Sequence, residues 1–149
     1  MGKKVAPLRV VIDTNVLVSC LLFGGQPGRL RDLWVGGQLL PLVSKETFEE
    51  FSKVLSYPKF HLSIAEITAI IEEEMLPYAQ VVGVTEDAAG ACRDSHDEKF
   101  LALAASGDAA YLVTGDKDLL VLRTFGNTRI VTVGDFLALP KAIDRRSET

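Results

Sequence analysis

Acidic residues flank two apolar segments in the second half of the sequence. Asp94, Asp97 and Glu98 precede a segment with apolar residues at helical spacing, and Asp116 and Asp118 follow the short apolar run AAYLV. That run has the length and flanks of a buried strand, so the acids after it lie at a strand end. Carboxylate oxygens are ligands that Mg²⁺ and Mn²⁺ prefer. These residues therefore indicate a divalent-metal site at the rim of a sheet.

A further carboxylate, Asp13, follows the first predicted strand. Residues 8–12, LRVVI, form a near-continuous apolar run that is typical of a central parallel strand. Helix capping is an alternative interpretation for Asp13, Asp116 and Asp118. For Asp97 the alternative is a favourable interaction with a helix dipole and nothing more. Capping does not require these acids to share one rim of the sheet, whereas a metal site does.

A helical wheel of residues 45–56 selects one glutamate as a further candidate. Glu50 lies at the edge of the apolar face, whereas Glu49 points away from it and has Lys53 four residues on as a surface partner. A solvated helix glutamate remains the alternative interpretation of Glu50. The apolar face itself comprises Thr47, Phe48, Phe51, Val54 and Leu55.

Short apolar strands alternate with helical segments along the chain, which predicts an α/β domain with a parallel sheet. The predicted strands are residues 8–12, 39–43, 79–84, 110–113 and 129–133. The predicted helices are residues 16–23, 27–35, 45–56, 62–76 and 119–122, with one ended by Ser106-Gly107 and one opening at Gly134. We expect one domain over residues 8–140, a disordered lead over 1–7 and a charged tail over 141–149. Asp13 and Asp116 then lie at the carboxyl ends of strands, where such folds bind ligands.

The composition is that of a globular domain rather than of a disordered or fibrous chain, with 149 residues, 48% apolar and 24% charged. The net charge of −4 argues against binding nucleic acid by overall charge alone, but it does not exclude a nuclease. No apolar run is long enough for a membrane span and the first residues lack a signal peptide, so we expect a cytoplasmic protein. Cys20 and Cys92 form no CxxC pair, so structural zinc is not expected.

Three segments together carry a resemblance to a known family: VVIDTNVLVS, VSKETFEEFSKVLSYPKF and RDSHDEKFLALAASGDAAYLVTGDKDLL. They resemble the PIN-domain family of metal-dependent ribonucleases, especially the prokaryotic toxins of toxin–antitoxin pairs. The resemblance implies a single three-layer α/β/α sandwich around a central parallel sheet of about five strands. It also implies Mg²⁺ or Mn²⁺ as cofactor, RNA as substrate, a homodimer and a cognate antitoxin protein.

The resemblance assigns roles to particular residues. The acids that it implies as catalytic and metal-binding are Asp13, Glu50, Asp97 and Asp116. Asn15 and Thr114 are implied as supporting polar residues. Asp94 and Asp118 stand near the third and fourth acids and could replace or supplement them.

Basic residues near these segments are candidates for contacts with substrate phosphate. Arg29 and Arg31 lie at the start of a predicted helix, and Lys99 and Lys117 flank the acids. Solvated surface charge is the alternative interpretation of all four. His96 lies close enough to the acids for a role beside them or with substrate.

The function that these features predict is metal-dependent endonucleolytic cleavage of RNA, in which bound cations activate water and stabilise charge. A non-catalytic interaction or signalling module with an acidic metal pocket is an alternative. A phospho-receiver domain pairs two acids after its first strand, where this chain has Asp13 alone, and an aspartate phosphatase needs an acid where Asn15 stands. A structure-specific DNA nuclease is also open, because two-metal chemistry does not itself select the sugar.

Overall fold

A six-stranded sheet forms the centre of the computed structural model, which describes residues 6–139. The strand order is β3-β2-β1-β4-β6-β5; all neighbouring pairs are parallel except β5 and β6. The strands are β1 (Leu8–Ile12), β2 (Leu39–Val43), β3 (Gln80–Val81), β4 (Tyr111–Val113), β5 (Thr124–Phe125) and β6 (Thr128–Val131). The predicted α/β class with a mainly parallel sheet is confirmed. The predicted tail and most of the lead lie outside the described residues.

Seven α-helices connect and flank the strands within residues 6–139. They are α1 (Thr14–Leu22), α2 (Gly25–Val35), α3 (Lys45–Leu55), α4 (Ile64–Ala69), α5 (Glu98–Ser106), α6 (Lys117–Leu120) and α7 (Val133–Leu137). A π-helical segment, Ile70–Met75, continues α4, and 3₁₀ turns cover Pro58–Phe60 and Ser95–Asp97. None of the helices in the described part is long and apolar enough to cross a membrane.

The sheet separates two apolar cores, which makes the molecule a three-layer sandwich. Successive residues of β1 point to opposite faces: Val10 and Ile12 join one core, and Val11 joins the other. Helices α1 to α4 and α7 cover the first face, whereas α5 and α6 cover the second. Because β1 is buried on both faces, it reads as a continuous apolar run in the sequence.

The differences from the predicted elements lie at the edges of the sheet and in one helix. β3 pairs over only two residues beside β2, and its Val81 side chain is 66% exposed. β5 was not predicted, since two residues, Thr124 and Phe125, carry no periodicity. The predicted helix over 62–76 changes from α- to π-helical pairing at Ile70.

Candidate metal centre

The parallel pairing of β1 with β4 brings their carboxyl ends, and the acids that follow them, to one edge. Ile12 stands opposite Val113, and Asp13 N donates to the Val113 carbonyl at 3.1 Å. Thr114 Oγ1 donates to Asp13 Oδ2, while Asp13 Oδ1 accepts from Val16 N at 2.9 Å and caps α1. Asp13 is therefore a helix cap that also faces the strand end beside it.

Thr114 also places Asp116. Asp116 N donates to Thr114 Oγ1 at 2.9 Å, and Asp116 Oδ1 accepts from Asp118 N at 2.8 Å, which starts α6. Thr114 is fully buried, so this hydroxyl is a fixed link between the two acids that follow the central strands. Asp118 contributes its backbone to this turn, and its carbonyl accepts from Cys92 Sγ at 3.4 Å.

Three carboxylates converge on one point at this edge. Asp94, Asp97 and Asp116 each present an oxygen atom, and the three atoms lie within 4.8 Å of one another. Asp94 and Asp97 come from the turn before α5, and Asp116 comes from the turn before α6. We call Asp94, Asp97 and Asp116 the three-acid group. The sequence placed Asp94 only as a substitute or supplement, although its spacing of three from Asp97 in a helical turn puts both on one side.

Asp97 is the most buried member of the three-acid group and lacks a hydrogen-bond donor at one oxygen in the described part of the chain. Asp97 is only 5% exposed, and its Oδ2 has no hydrogen-bond partner among residues 6–139. Burial first, and then the Asp116 carboxyl and the charges of Asp94 and Asp13, raise the pKa of Asp97 to about 7. A buried oxygen without a partner beside two further carboxylates fits an oxygen-preferring divalent cation.

Asp13 borders the three-acid group without belonging to it. Burial raises the pKa of Asp13 and the Asp116 charge raises it further, against hydrogen bonds from Thr114 and Val16 that lower it. Asp13 is therefore close enough to Asp116 to feel its charge. Its contacts hold it in place beside the group.

Glu50 lies in the same cavity, but protein groups surround its carboxylate. Thr14 Oγ1 donates to Glu50 Oε2, and His96 Nε2 and Lys99 Nζ each lie 2.8 Å from Oε1. The Lys99 contact is an ion pair and the His96 contact is one only when His96 is protonated; neither meets hydrogen-bond geometry. Burial raises the pKa of Glu50, but Lys99, Thr14 and the His96 charge together hold it below its usual value. The neighbouring Glu49 is exposed, as the helical wheel predicts.

An open cavity of about 1010 Å³ joins these groups. Its lining includes Asp13, Asn15, Glu50, Lys99 and the three-acid group, together with Lys53 near the end of α3 and Tyr57 just after that helix. This edge of the sheet therefore carries both the acids and room for a substrate.

The other predicted phosphate-binding residues lie outside the cavity lining. Arg29 is exposed on α2, and Arg31 forms an ion pair with Glu74 at 2.7 Å. Lys117 is exposed on α6. Only Lys99, of the four basic residues singled out in the sequence, is brought to the acids. Its contact with Glu50 carries no sequence signal, because it joins α3 to α5.

Comparison with known proteins identifies the family. The model of the PIN domain matches residues 9–118, which span β1, the three-acid group and the start of α6. The chain belongs to the PIN-domain family. This PIN domain is also 30% identical over 119 residues to the uncharacterised protein MJ1680 of Methanocaldococcus jannaschii, covering 78% of this chain and 76% of that protein.

Membership supports a general chemical interpretation of the site. PIN domains are typically nucleases that use divalent metals and act on nucleic acids. The acids of this PIN domain lie at the carboxyl edge of a mainly parallel sheet, where α/β folds bind ligands. Family, fold and carboxylate chemistry therefore all favour a hydrolase of the nuclease class.

Proposed function

We propose that this PIN domain is a metal-dependent endoribonuclease, and that it acts as the toxin of a toxin–antitoxin pair in the cytoplasm. The observation that carries the nuclease proposal is the three-acid group, in which the buried Oδ2 of Asp97 has no hydrogen-bond partner among residues 6–139. The toxin role is supported by the resemblance of the three sequence segments to that branch of the family.

The residues of such a site would have different roles. The three-acid group would hold Mg²⁺ or Mn²⁺, which when bound neutralises phosphate charge and lowers the pKa of a water molecule. Thr114 fixes Asp13 and Asp116 relative to each other, so both carboxylates are oriented before substrate arrives. Asn15 is exposed in the cavity lining, where its amide can contact the RNA backbone.

Cleavage of nucleic acid tests the proposal directly. Wild type is incubated with structured RNAs, single-stranded RNA and single-stranded DNA in Mg²⁺, Mn²⁺ or EDTA, beside Asp13→Asn and Asp116→Asn. We expect RNA cleavage with metal, none with EDTA, and a loss of at least about a hundredfold in each variant, as expected when groups that position or stabilise the reacting phosphate are removed. Asp32→Asn, an exposed acid on α2, is the matched control and should cleave like wild type.

The alternatives give different results in the same assay. Preferential cutting of DNA would replace the ribonuclease with a DNA nuclease that uses the same acids. Metal binding with equal background cleavage in wild type and both variants would favour a non-catalytic interaction module.

The partners are tested separately. We propose a homodimer and a cognate antitoxin protein, both from the family resemblance. Light scattering of the purified chain gives the mass, with a dimer expected. Growth arrest on expression of wild type but not of Asp116→Asn is expected for a toxin, and equal growth of both strains would contradict that role.

A further inference from the structure

A lysine fills the Glu50 side of the cavity. Lys99 Nζ lies 2.8 Å from Glu50 Oε1 and donates to the His96 backbone carbonyl at 2.6 Å. The Lys99 side chain is only 8% exposed. An ammonium group withdrawn from water to this degree costs free energy unless it is paired, so the Lys99–Glu50 contact is integral to the site.

The two sides of the cavity differ in how their carboxylates are satisfied. Glu50 accepts from Thr14 Oγ1 on one oxygen, and the Lys99 ammonium and His96 Nε2 each lie 2.8 Å from the other. Neither Glu50 Oε1 nor Asp97 Oδ2 has a hydrogen-bond partner among residues 6–139, but Asp97 forms no ion pair in that part of the chain. A cation placed on Glu50 Oε1 would lie within a few ångströms of the Lys99 ammonium. Two positive charges at that separation repel each other, and the low exposure of the two side chains, 8% for Lys99 and 17% for Glu50, limits how far water screens them.

We propose that Lys99 takes the place of a second divalent cation in this site. The chain then binds one ion, at the three-acid group. Glu50 is not a metal ligand but a positioning residue, which holds Lys99 at the cavity. This inference rests on the proposed metal-dependent function and adds to it the number of ions and the role of Glu50. It also gives Lys99 a fixed position from which its ammonium can face a substrate phosphate.

Manganese binding to the full chain, measured by titration calorimetry, tests the inference without using activity. Wild type is expected to bind one ion, which Asp97→Asn loses. Lys99→Met is expected to bind two, since removal of the ammonium frees Glu50. The double variant Lys99→Met/Glu50→Gln is expected to return to one ion. The affinity of the double variant for this ion should differ from that of wild type by less than the about 10- to 100-fold that loss of a residue supporting a metal ligand causes.

Two further variants control for charge and folding. Lys53→Met removes a lysine that lines the same cavity but forms no ion pair among residues 6–139, and it should still bind one ion. Lys99→Gln keeps a donor for Glu50 without the charge and should, like Lys99→Met, bind two. Circular dichroism establishes that each variant is folded before titration.

The outcomes separate this inference from the proposed function. Two ions in wild type would overturn the inference and leave the nuclease proposal standing, as would a single ion in folded Lys99→Met or Lys99→Gln. Loss of the ion in the double variant would show that Glu50 is a metal ligand. That result would also overturn the inference and leave the nuclease proposal standing. Absence of bound manganese in wild type would overturn both proposals.

Discussion

Single carboxylates in this site serve both a local and a shared purpose. Asp13 and Asp116 each use Oδ1 to accept a backbone N–H at the start of a helix, from Val16 and Asp118 respectively. A carboxylate has two oxygens and about four lone-pair positions, so capping leaves acceptor capacity for a second partner. For Asp13 that partner is the Thr114 hydroxyl. Helix capping and a role in the site are therefore compatible, although the sequence presents them as alternatives.

The crowding of acids at Asp97 should lower stability when no metal is bound. At pH 8, above the raised pKa of about 7, the folded state holds a buried negative charge that the unfolded chain exposes to water. We expect Asp97→Asn to unfold a few degrees higher than wild type in EDTA, since about 1 kcal/mol moves the midpoint by about 2–4 °C in a chain of this size. Thermal unfolding followed by circular dichroism measures the difference.

Asp32→Asn is the matched control for this prediction, because it removes an exposed acid remote from the cavity lining. It should unfold within about 1–2 °C of wild type, because surface substitutions usually change the free energy of unfolding by under about 0.5 kcal/mol. A lower midpoint for Asp97→Asn in EDTA would mean that the Asp97 carboxylate stabilises the metal-free fold, contrary to the argument from crowding.

The sequence predicts which acids reach this edge better than it predicts their partners. Asp13 and Asp116 follow strands, and strand ends in a parallel sheet share an edge, so their proximity follows from the fold. Asp94 is the main difference, because it is a full member of the three-acid group. The contacts of Glu50 with Lys99 and His96 could not be predicted, since they depend on how α3 packs against α5.

Elements with strong periodicity or clear caps were the predictable part of the fold. β1 and β2 match the predicted ranges, and α3 begins at Lys45 as predicted. Ser44 caps it, since its hydroxyl accepts from Thr47 N at 3.2 Å. The edge elements were less predictable: β5 and the short β3 pair over two residues each, fewer than a periodic pattern needs. Pairing at a sheet edge is decided by tertiary contacts rather than by local sequence.

The end of α5 depends on close packing at Gly107. A Cβ atom there would lie 2.8 Å from Leu42 Cδ1, 3.2 Å from the Leu103 carbonyl oxygen and 3.3 Å from Val82 Cγ2. Leu42 belongs to β2 and is buried, so it has little room to move. We expect Gly107→Ala to lower the free energy of unfolding by about 1–3 kcal/mol, as overpacking does. Urea unfolding measures this value.

Gly83→Ala provides the comparison for that measurement. A Cβ at Gly83 has no atom within 4 Å. Like Gly107→Ala, this substitution reduces the conformational entropy of the unfolded chain, but it introduces no steric clash in the folded state. It should be neutral or stabilising by up to about 1 kcal/mol. Equal unfolding free energies for the two variants would show that Leu42 and Val82 can give way, and that α5 is not held by this contact.

The charge of the whole molecule affects how it would approach a nucleic acid. The net charge is −4, and the cavity brings Asp13, Glu50 and the three-acid group together. Phosphate is therefore repelled from the metal-free site, and overall charge gives no compensating attraction. Of the four basic residues considered for phosphate contacts, Lys99 alone lines the cavity, and Glu50 neutralises it. Lys53 is the other lysine in that lining, and a bound divalent metal would add two further positive charges among these acids.

RNA binding should for this reason depend on metal rather than on ionic strength. We expect the affinity of Asp13→Asn, which retains the three-acid group but cleaves slowly, to rise at least about tenfold between EDTA and Mg²⁺, equivalent to about 1.4 kcal/mol. Fluorescence anisotropy with labelled single-stranded RNA measures it, and Asp97→Asn should show no comparable rise. Because few lysine or arginine contacts with phosphate are available, the salt dependence should be shallow. Tight binding in EDTA with a steep salt dependence would instead place the RNA on a basic surface away from the acids.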